Sequence, residues 1–285
     1  MGNFNKFFTV KDYDIKRVAF PKPSRDLDVA VVYSVWTNPE YLKFLYISLA
    51  SQFKSTDAVR PTIFVFVSRD LFTAANSILE GCPVELIPVD GVLNKYSVTL
   101  RSELAGFRQI VLCDCDTFFA GRNKRFYKVL AKGHRVHMMM DPDPSTKVFP
   151  SRRCLSVIHD LDRYMQWWRE YMPDIERHLD SNRWYLSCLM SCPSGLFVGE
   201  EWESHVSKWL EIQTFCDETV FLTYLWSKGI IPSQLSDICD MGLCYAYLNR
   251  ELISSPGKFS IIHPLHGEFA MNDSVHSFYD AILAS

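Results

Sequence analysis

The stretch from Gln109 to Phe119, Q-I-V-L-C-D-C-D-T-F-F, limits what this chain can fold into more than any other. Ile110, Val111, Leu112 and Cys113 form the short apolar run of a buried strand, and Asp114, Cys115 and Asp116 follow with no polar transition. Side chains alternate along extended backbone, so both carboxylates are expected on one side and Cys113 and Cys115 on the other. Two acids aimed at one point repel, and either one keeps a proton or a cation sits between them. A strand end followed at once by Thr117-Phe118-Phe119 favours the cation over a solvated turn.

The sequence ahead of this stretch alternates strands and helices. Val29 to Val35 is a nearly continuous apolar run, the pattern of a strand covered on both faces. Thr37 or Asn38 can cap the helix that follows, Pro39 suits its first position, and Tyr41, Leu42, Leu45, Leu49 and Phe53 recur at helical spacing. Thr62 to Val67 reads as a second strand, Asp70 as a cap, and Leu71 to Leu79 as a helix stopped by Gly81. Val84 to Val89 is a third strand, and Tyr96 to Phe107 a helix with Leu100, Leu104 and Phe107 on one side. This order predicts a parallel sheet with right-handed crossovers. Ligands of such sheets bind at the carboxyl ends of the strands, where Ser34 to Asn38, Ser68-Arg69 and Asp114 to Asp116 all fall.

Beyond the acidic pair, Val136 to Met140 reads as another strand and 145–150 as a loop able to cover a site. Residues 156–180 read as helical, with Tyr164, Trp167, Trp168 and Tyr171 as a core or interface stripe and a break at Pro173. Ser194 to Gly199 reads as a short strand, Trp202 to Phe215 and Asp217 to Trp226 as helices, and Phe259 to Gly267 as a late strand stopping at a histidine. No repeat or low-complexity linker divides the chain, so 28–285 is expected to be one domain with 1–27 as an arm against it.

Composition narrows the partners. A chain of 285 residues, 48% hydrophobic, can bury a sizeable core. With 30 Lys+Arg against 33 Asp+Glu and no basic block, it carries no nucleic-acid footprint, and a small molecule or glycan is the expected ligand. Most of the many aromatics belong to the core, though a few often line sugar clefts. The nine cysteines have no C-x-x-C pairing and read as free thiols in a reducing compartment; Cys188 and Cys192 lack a partner pair at zinc spacing. No run approaches the roughly 18 apolar residues of a membrane span, and the N-terminus lacks the apolar core of a secretory leader. Lys6 stands where a myristoylation signal opened by Gly2 and Asn3 needs Ser or Thr. A soluble, cytoplasmic protein without a transmembrane segment is the expectation.

The order of these features resembles the GT-A fold of nucleotide-sugar glycosyltransferases, an α/β, Rossmann-like, mainly parallel sheet flanked by helices. The residues that carry the resemblance are Val29 to Asn38 as first strand and loop, Ile110 to Phe119 as the D-x-D strand, Ser194 to Gly199 as an acceptor-side strand, Asp217-Glu218 opening a helix, and Ile261-Ile262-His263 near the end. Within that fold the arrangement is most similar to the glycogenin and galactosyltransferase type of retaining enzyme. The resemblance implies a nucleotide-binding half at 28–120 and an elaborated acceptor half at 121–285. It implies that Asp116 binds a divalent metal, Mn²⁺ or Mg²⁺, that Asp114 binds the metal or the donor ribose, and that His263 completes the ligands, with His266 before Gly267 as its rival. Carboxylates suit a hard cation that neutralises a leaving diphosphate, and imidazole among them favours Mn²⁺.

The same resemblance places Ser34, Val35, Trp36 and Asn38 around the base, with Tyr41 stacking on it, and Arg101 reaching the donor. A UDP-sugar is the favoured donor, although Trp36 or Asn38 stands where the family often has an acid in that loop. Asp217 is assigned to donor hydroxyls and Glu218 to the reaction centre. Were the enzyme inverting, one of these two would be the general base. The acceptor is a hydroxyl of a glycan, a protein or a small molecule. Asp114-Cys115-Asp116-Thr117 also fits the D-x-D-x-T motif of haloacid-dehalogenase phosphatases, with Asp114 as nucleophile. That fold places the motif on its first strand, whereas three strands precede it here. A binding protein of the GT-A type without catalysis is the remaining alternative, and the presence of both aspartates and a late histidine counts against it.

Overall fold

The computed structural model describes residues 14–20, 27–36, 38–55, 60–90, 95–119, 124–140, 160–171, 185–212, 217–239, 241–244, 261–264 and 280. The expectations at Thr37, 145–150, Pro173, His266 and Gly267, and for most of the arm 1–27, lie outside them.

Seven strands form one sheet: β1 (Val29–Val35), β2 (Thr62–Ser68), β3 (Glu85–Val89), β4 (Gln109–Cys113), β5 (His137–Met140), β6 (Tyr185–Pro193) and β7 (Ser233–Gln234), in the order β3-β2-β1-β4-β6-β5-β7. β6 alone runs antiparallel to its neighbours. Every residue of β2 and β4 is buried, as the apolar runs require. β1 supplies both faces of the core. Val29, Val31, Tyr33 and Val35 pack on one side with α1 (Glu40–Ser55), α2 (Phe72–Ile78) and the helix Lys124–Lys132, while Ala30 and Val32 face the other side. That second layer holds α3 (Lys95–Val98), the helix Leu161–Tyr171, α6 (Gly199–Leu210) and α7 (Asp217–Ser227). We number the helices Lys124–Lys132 and Leu161–Tyr171 as α4 and α5. The fold is α/β with a mainly parallel sheet covered by helices on both faces.

Local chemistry explains the element boundaries. Asn38 caps α1, its Oδ1 accepting the Glu40 N–H at 2.9 Å, with Pro39 in the first turn. Asp70 does not cap a helix but lies inside a 3₁₀ turn, Arg69–Leu71. The helix expected over Tyr96 to Phe107 is two short pieces, α3 and a 3₁₀ turn at Ser102–Leu104, because Arg101 between them is extended and Thr99 donates its hydroxyl to Tyr96 O. The acceptor-side strand lies earlier than Ser194 to Gly199: β6 ends at Pro193, and Ser194-Gly195 turn the chain toward α6. β6 escapes a periodicity reading because Ser187 and Ser191 interrupt its apolar residues, and both serines are buried and hydrogen-bonded. A separate two-stranded sheet pairs β8 (Met241–Cys244) with β9 (Ile261–Pro264) in parallel.

α7 is buried along almost its whole length, from Thr219 to Trp226, and its C-terminus is closed by Gly229 at φ 68°. The Ile230 N–H reaches Leu225 O at 2.9 Å and the Gly229 N–H reaches Trp226 O at 2.8 Å, the two bonds of a Schellman cap. A methyl group at Gly229 would meet no atom within 4 Å, so Gly229→Ala tests backbone conformation alone. It is expected to cost about 1 kcal/mol in urea unfolding; no loss would show that the left-handed cap contributes nothing.

Candidate functional site

The chain leaves β4 at Cys113 and turns. The Asp114 N–H still bonds to Cys188 O of β6 at 2.9 Å, and the Thr117 N–H folds back onto Asp114 O at 3.1 Å. Asp114 and Asp116 therefore converge through a tight turn, where the sequence led us to expect strand alternation. β1, β2 and β4 are parallel and in register, so this turn stands on the same rim as Ser34 and Ser68.

Three ligand-type side chains meet there. Asp114, Asp116 and His263 place one potential ligand atom each within 4.8 Å of one another. His263 Nε2 lies 3.2 Å from Asp116 Oδ1 and 3.5 Å from Asp114 Oδ2. His263 comes from β9, whose pairing Leu243↔His263 brings the second small sheet over the rim of the first. Asp116 is 3% exposed and His263 4%. Neither ring nitrogen of His263 has a well-aligned hydrogen-bond partner. Burial alone would lower the imidazole; the carboxylates, Asp116 foremost, outweigh it and lift it to about 9, so the ring itself carries a proton when no other cation is present.

Beside this cluster sits a part-buried ion pair that sequence reasoning missed. Lys95, the first residue of α3, donates to Asp114 Oδ1, to Asp217 Oδ2 at 2.9 Å and to Ser187 O at 2.8 Å. Ser187 donates to the same Asp217 oxygen at 2.5 Å. It lies where β6 slips register against β5, between the pairings Met138↔Met190 and Met139↔Leu186, so a bulge aims its carbonyl and hydroxyl at the site. Burial pushes the Asp217 carboxyl up, but the Lys95 ammonium, with hydrogen bonds from Ser187, Lys95 and Glu218, overrides this and holds it at about 2. Lys95 itself, although burial opposes its charge, is held well above the usual lysine range by Asp114 and Asp217. The only sequence signal for Lys95 was a lone cation between the third strand and a helix, which by itself reads as a solvated face.

The other expected site residues divide. Asp217 and Glu218 open α7 next to Lys95. Tyr41, in the first turn of α1, is mostly buried, and its phenol is pushed up by burial and then by the charges of Asp116, Cys115 and Asp114. Ser34 O accepts from the Cys115 thiol at 3.6 Å, Val35 is buried, and Trp36 packs against the core through a half-buried ring. Asn38 is engaged as the α1 cap. Arg101 pairs with Glu103 at 2.7 Å and lies over Phe66, and no contact among the described residues joins it to the acidic cluster.

Lys95→Met should leave Asp114 and Asp217, both part-buried, without their cation and cost about 1–2 kcal/mol at pH 7, less than a fully buried pair would. Asp217 has a folded pKa of about 2, below its ordinary value near 3.9, so its contribution is present above that value and fades as pH falls toward 2. The gap between the parent and Lys95→Met in urea unfolding is thus expected to narrow from pH 7 to pH 3; a constant gap would show that the pair does not govern the loss.

No protein-family model and no curated protein sequence matches the chain. Among the described residues no helix is long and apolar enough to cross a membrane. Solved structures do match in shape. A galactosyltransferase, LgtC, in complex with donor and acceptor sugar analogs, superposes with a TM-score of 0.56 at 10% identity over 90% of this chain and 95% of that one. The WbbM bifunctional glycosyltransferase superposes with a TM-score of 0.58 at 13% identity, over 93% of this chain and 51% of that one. At these identities the likeness is one of fold, and with the D-x-D turn at the rim of the sheet, the chain has the GT-A fold.

Proposed function

We propose that the protein is a metal-dependent glycosyltransferase that moves a sugar from a nucleoside diphosphate sugar, a UDP-sugar favoured, to a hydroxyl acceptor with retention at the anomeric carbon. One observation carries this reading: Asp114, Asp116 and His263, from segments far apart in sequence, meet at the rim of a GT-A sheet beside the Lys95–Asp217 pair. The donor set suits Mn²⁺ or Mg²⁺. Its ligand atoms lie within 4.8 Å of one another, and a cation there would take the place of the proton that His263, with no well-aligned hydrogen bond, otherwise carries against the two carboxylates. A bound ion would act as a Lewis acid, taking up the charge that develops on the departing diphosphate.

The chain's own residues do the rest. Asp116 and His263 would hold the ion, and Asp114 divides its oxygens, Oδ1 on Lys95 and Oδ2 toward His263. Tyr41 is assigned to the base, with Ser34, Val35 and Trp36 at the end of β1 beside it. Lys95 fixes Asp217 in its ionised form, ready to accept hydrogen bonds from donor hydroxyls. Glu218, next in the first turn of α7, is assigned to the developing positive charge at the anomeric carbon. Arg101, held by Glu103, reaches the donor only if that pair opens. The phosphatase reading is disfavoured: its nucleophile would be Asp114, whose Oδ1 is tied to the Lys95 ammonium, and the motif follows the fourth strand of the chain.

The test is thermal unfolding with Mn²⁺ and nucleoside diphosphates. Near-saturating UDP plus Mn²⁺ should raise the midpoint of the parent by about 5 °C, and Asp116→Ala should abolish the rise while the ligand-free protein remains folded. Full Mn²⁺-dependent stabilisation of Asp116→Ala would refute the assignment. Release of inorganic phosphate from phosphomonoesters, with no turnover of any nucleotide sugar, would replace it with the phosphatase.

A further inference from the structure

A helix that packs against the core is expected to turn apolar residues inward, yet α1 buries Ser48, Ser51, Gln52 and Ser55, spaced i, i+3, i+4 and i+7 on one face. Buried hydroxyls and amides are unfavourable unless hydrogen-bonded, so their partners show what the stripe is for. Ser48 donates its hydroxyl to Thr117 O at 2.5 Å. Ser51 Oγ accepts the Phe119 N–H at 3.0 Å and donates to Ser48 O at 2.7 Å. Both main-chain groups belong to the segment that leaves β4 just after the two aspartates, where regular strand pairing has ended. A second tier backs the first. The Tyr33 hydroxyl, from β1, is 2.9 Å from Ser48 Oγ and 3.4 Å from Gln52 Oε1. Gln52 Nε2 donates in turn to the hydroxyl of Tyr127 on α4. Ser48, Ser51, Gln52, Tyr33 and Tyr127 are all at most 1% exposed.

We propose that Ser48 and Ser51 are positioning residues for the metal-binding turn; the inference rests on the metal reading above. Asp116 lies between two fixed points. On one side the Asp114 N–H is held by Cys188 O. On the other, Thr117 and Phe119 are held through their backbone by the helix that also carries Tyr41. Loss of either serine hydroxyl leaves a buried main-chain group unpaired, and the turn must shift toward another partner. That shift moves Asp116 relative to Asp114 and His263. A stripe that only satisfied the backbone would lower stability without changing how the three ligand groups meet.

The experiment measures Mn²⁺ binding to the full chain by electron paramagnetic resonance, with metal-free thermal unfolding alongside. Ser48→Ala and Ser51→Ala should each weaken Mn²⁺ binding about tenfold. Gly229→Ala, which loses stability at the far end of α7, should bind within about twofold of the parent. Should Ser48→Ala fail to fold, Ser51→Ala carries the test alone, under the same criterion. Parent-like Mn²⁺ affinity in the serine variants overturns the proposal while leaving the metal site standing. Absence of Mn²⁺ binding in the parent overturns the metal reading and this inference with it.

Discussion

The repulsion between Asp114 and Asp116 is the constraint on which the site depends. Two carboxylates at a buried strand end are unfavourable unless positive charge stands between or beside them. The chain provides it from two directions, an ammonium at the start of α3 and an imidazole from β9. Neither comes from the neighbourhood of the acids in sequence, so the fold has to deliver both. The sheet order places β1 and β6 on either side of β4, and α3, α7 and β9 bring Lys95, Asp217 and His263 to that rim.

β6 is the strand that makes this arrangement uneven. It runs against its neighbours and is bulged at Ser187 to Leu189, so three consecutive residues serve different ends. Ser187 faces Lys95 and Asp217, Cys188 offers its carbonyl to the Asp114 N–H and to the Thr117 hydroxyl, and Leu189 returns to the core. The thiols of Cys113, Cys115 and Cys188 lie in the same place, and burial pushes each of them up, so they remain protonated fillers rather than nucleophiles.

The repeating half of the chain was legible because its signals are local. Val29–Val35, the capped helix after Asn38, Thr62–Ser68 and Gln109–Cys113 each carry their own apolar run and their own start signal. Asp114 and Asp116 were legible for the same reason, and His263 through the order of features in the GT-A resemblance. Lys95 was not, because its role exists only where α3, β4, β6 and α7 meet. β6 was obscured by buried serines whose partners, Gln109, His137 and Asp217, lie in other elements. Periodicity reports which face of an element is apolar; it is silent on a polar atom satisfied from across the fold.

His263 stands half the chain away from the aspartates it faces and belongs to a sheet that shares no strand with theirs. The contact that closes the ligand set is thus among the most distant in sequence that the molecule makes. Contacts of that kind carry the largest loop-closure cost and form late. β4 and both acids precede β9 in the chain by the whole of β5 to β8. Before that closure Lys95 is the cation beside the paired carboxylates, and the cluster of Asp114, Asp116 and His263 is complete only once the small sheet has docked on the large one.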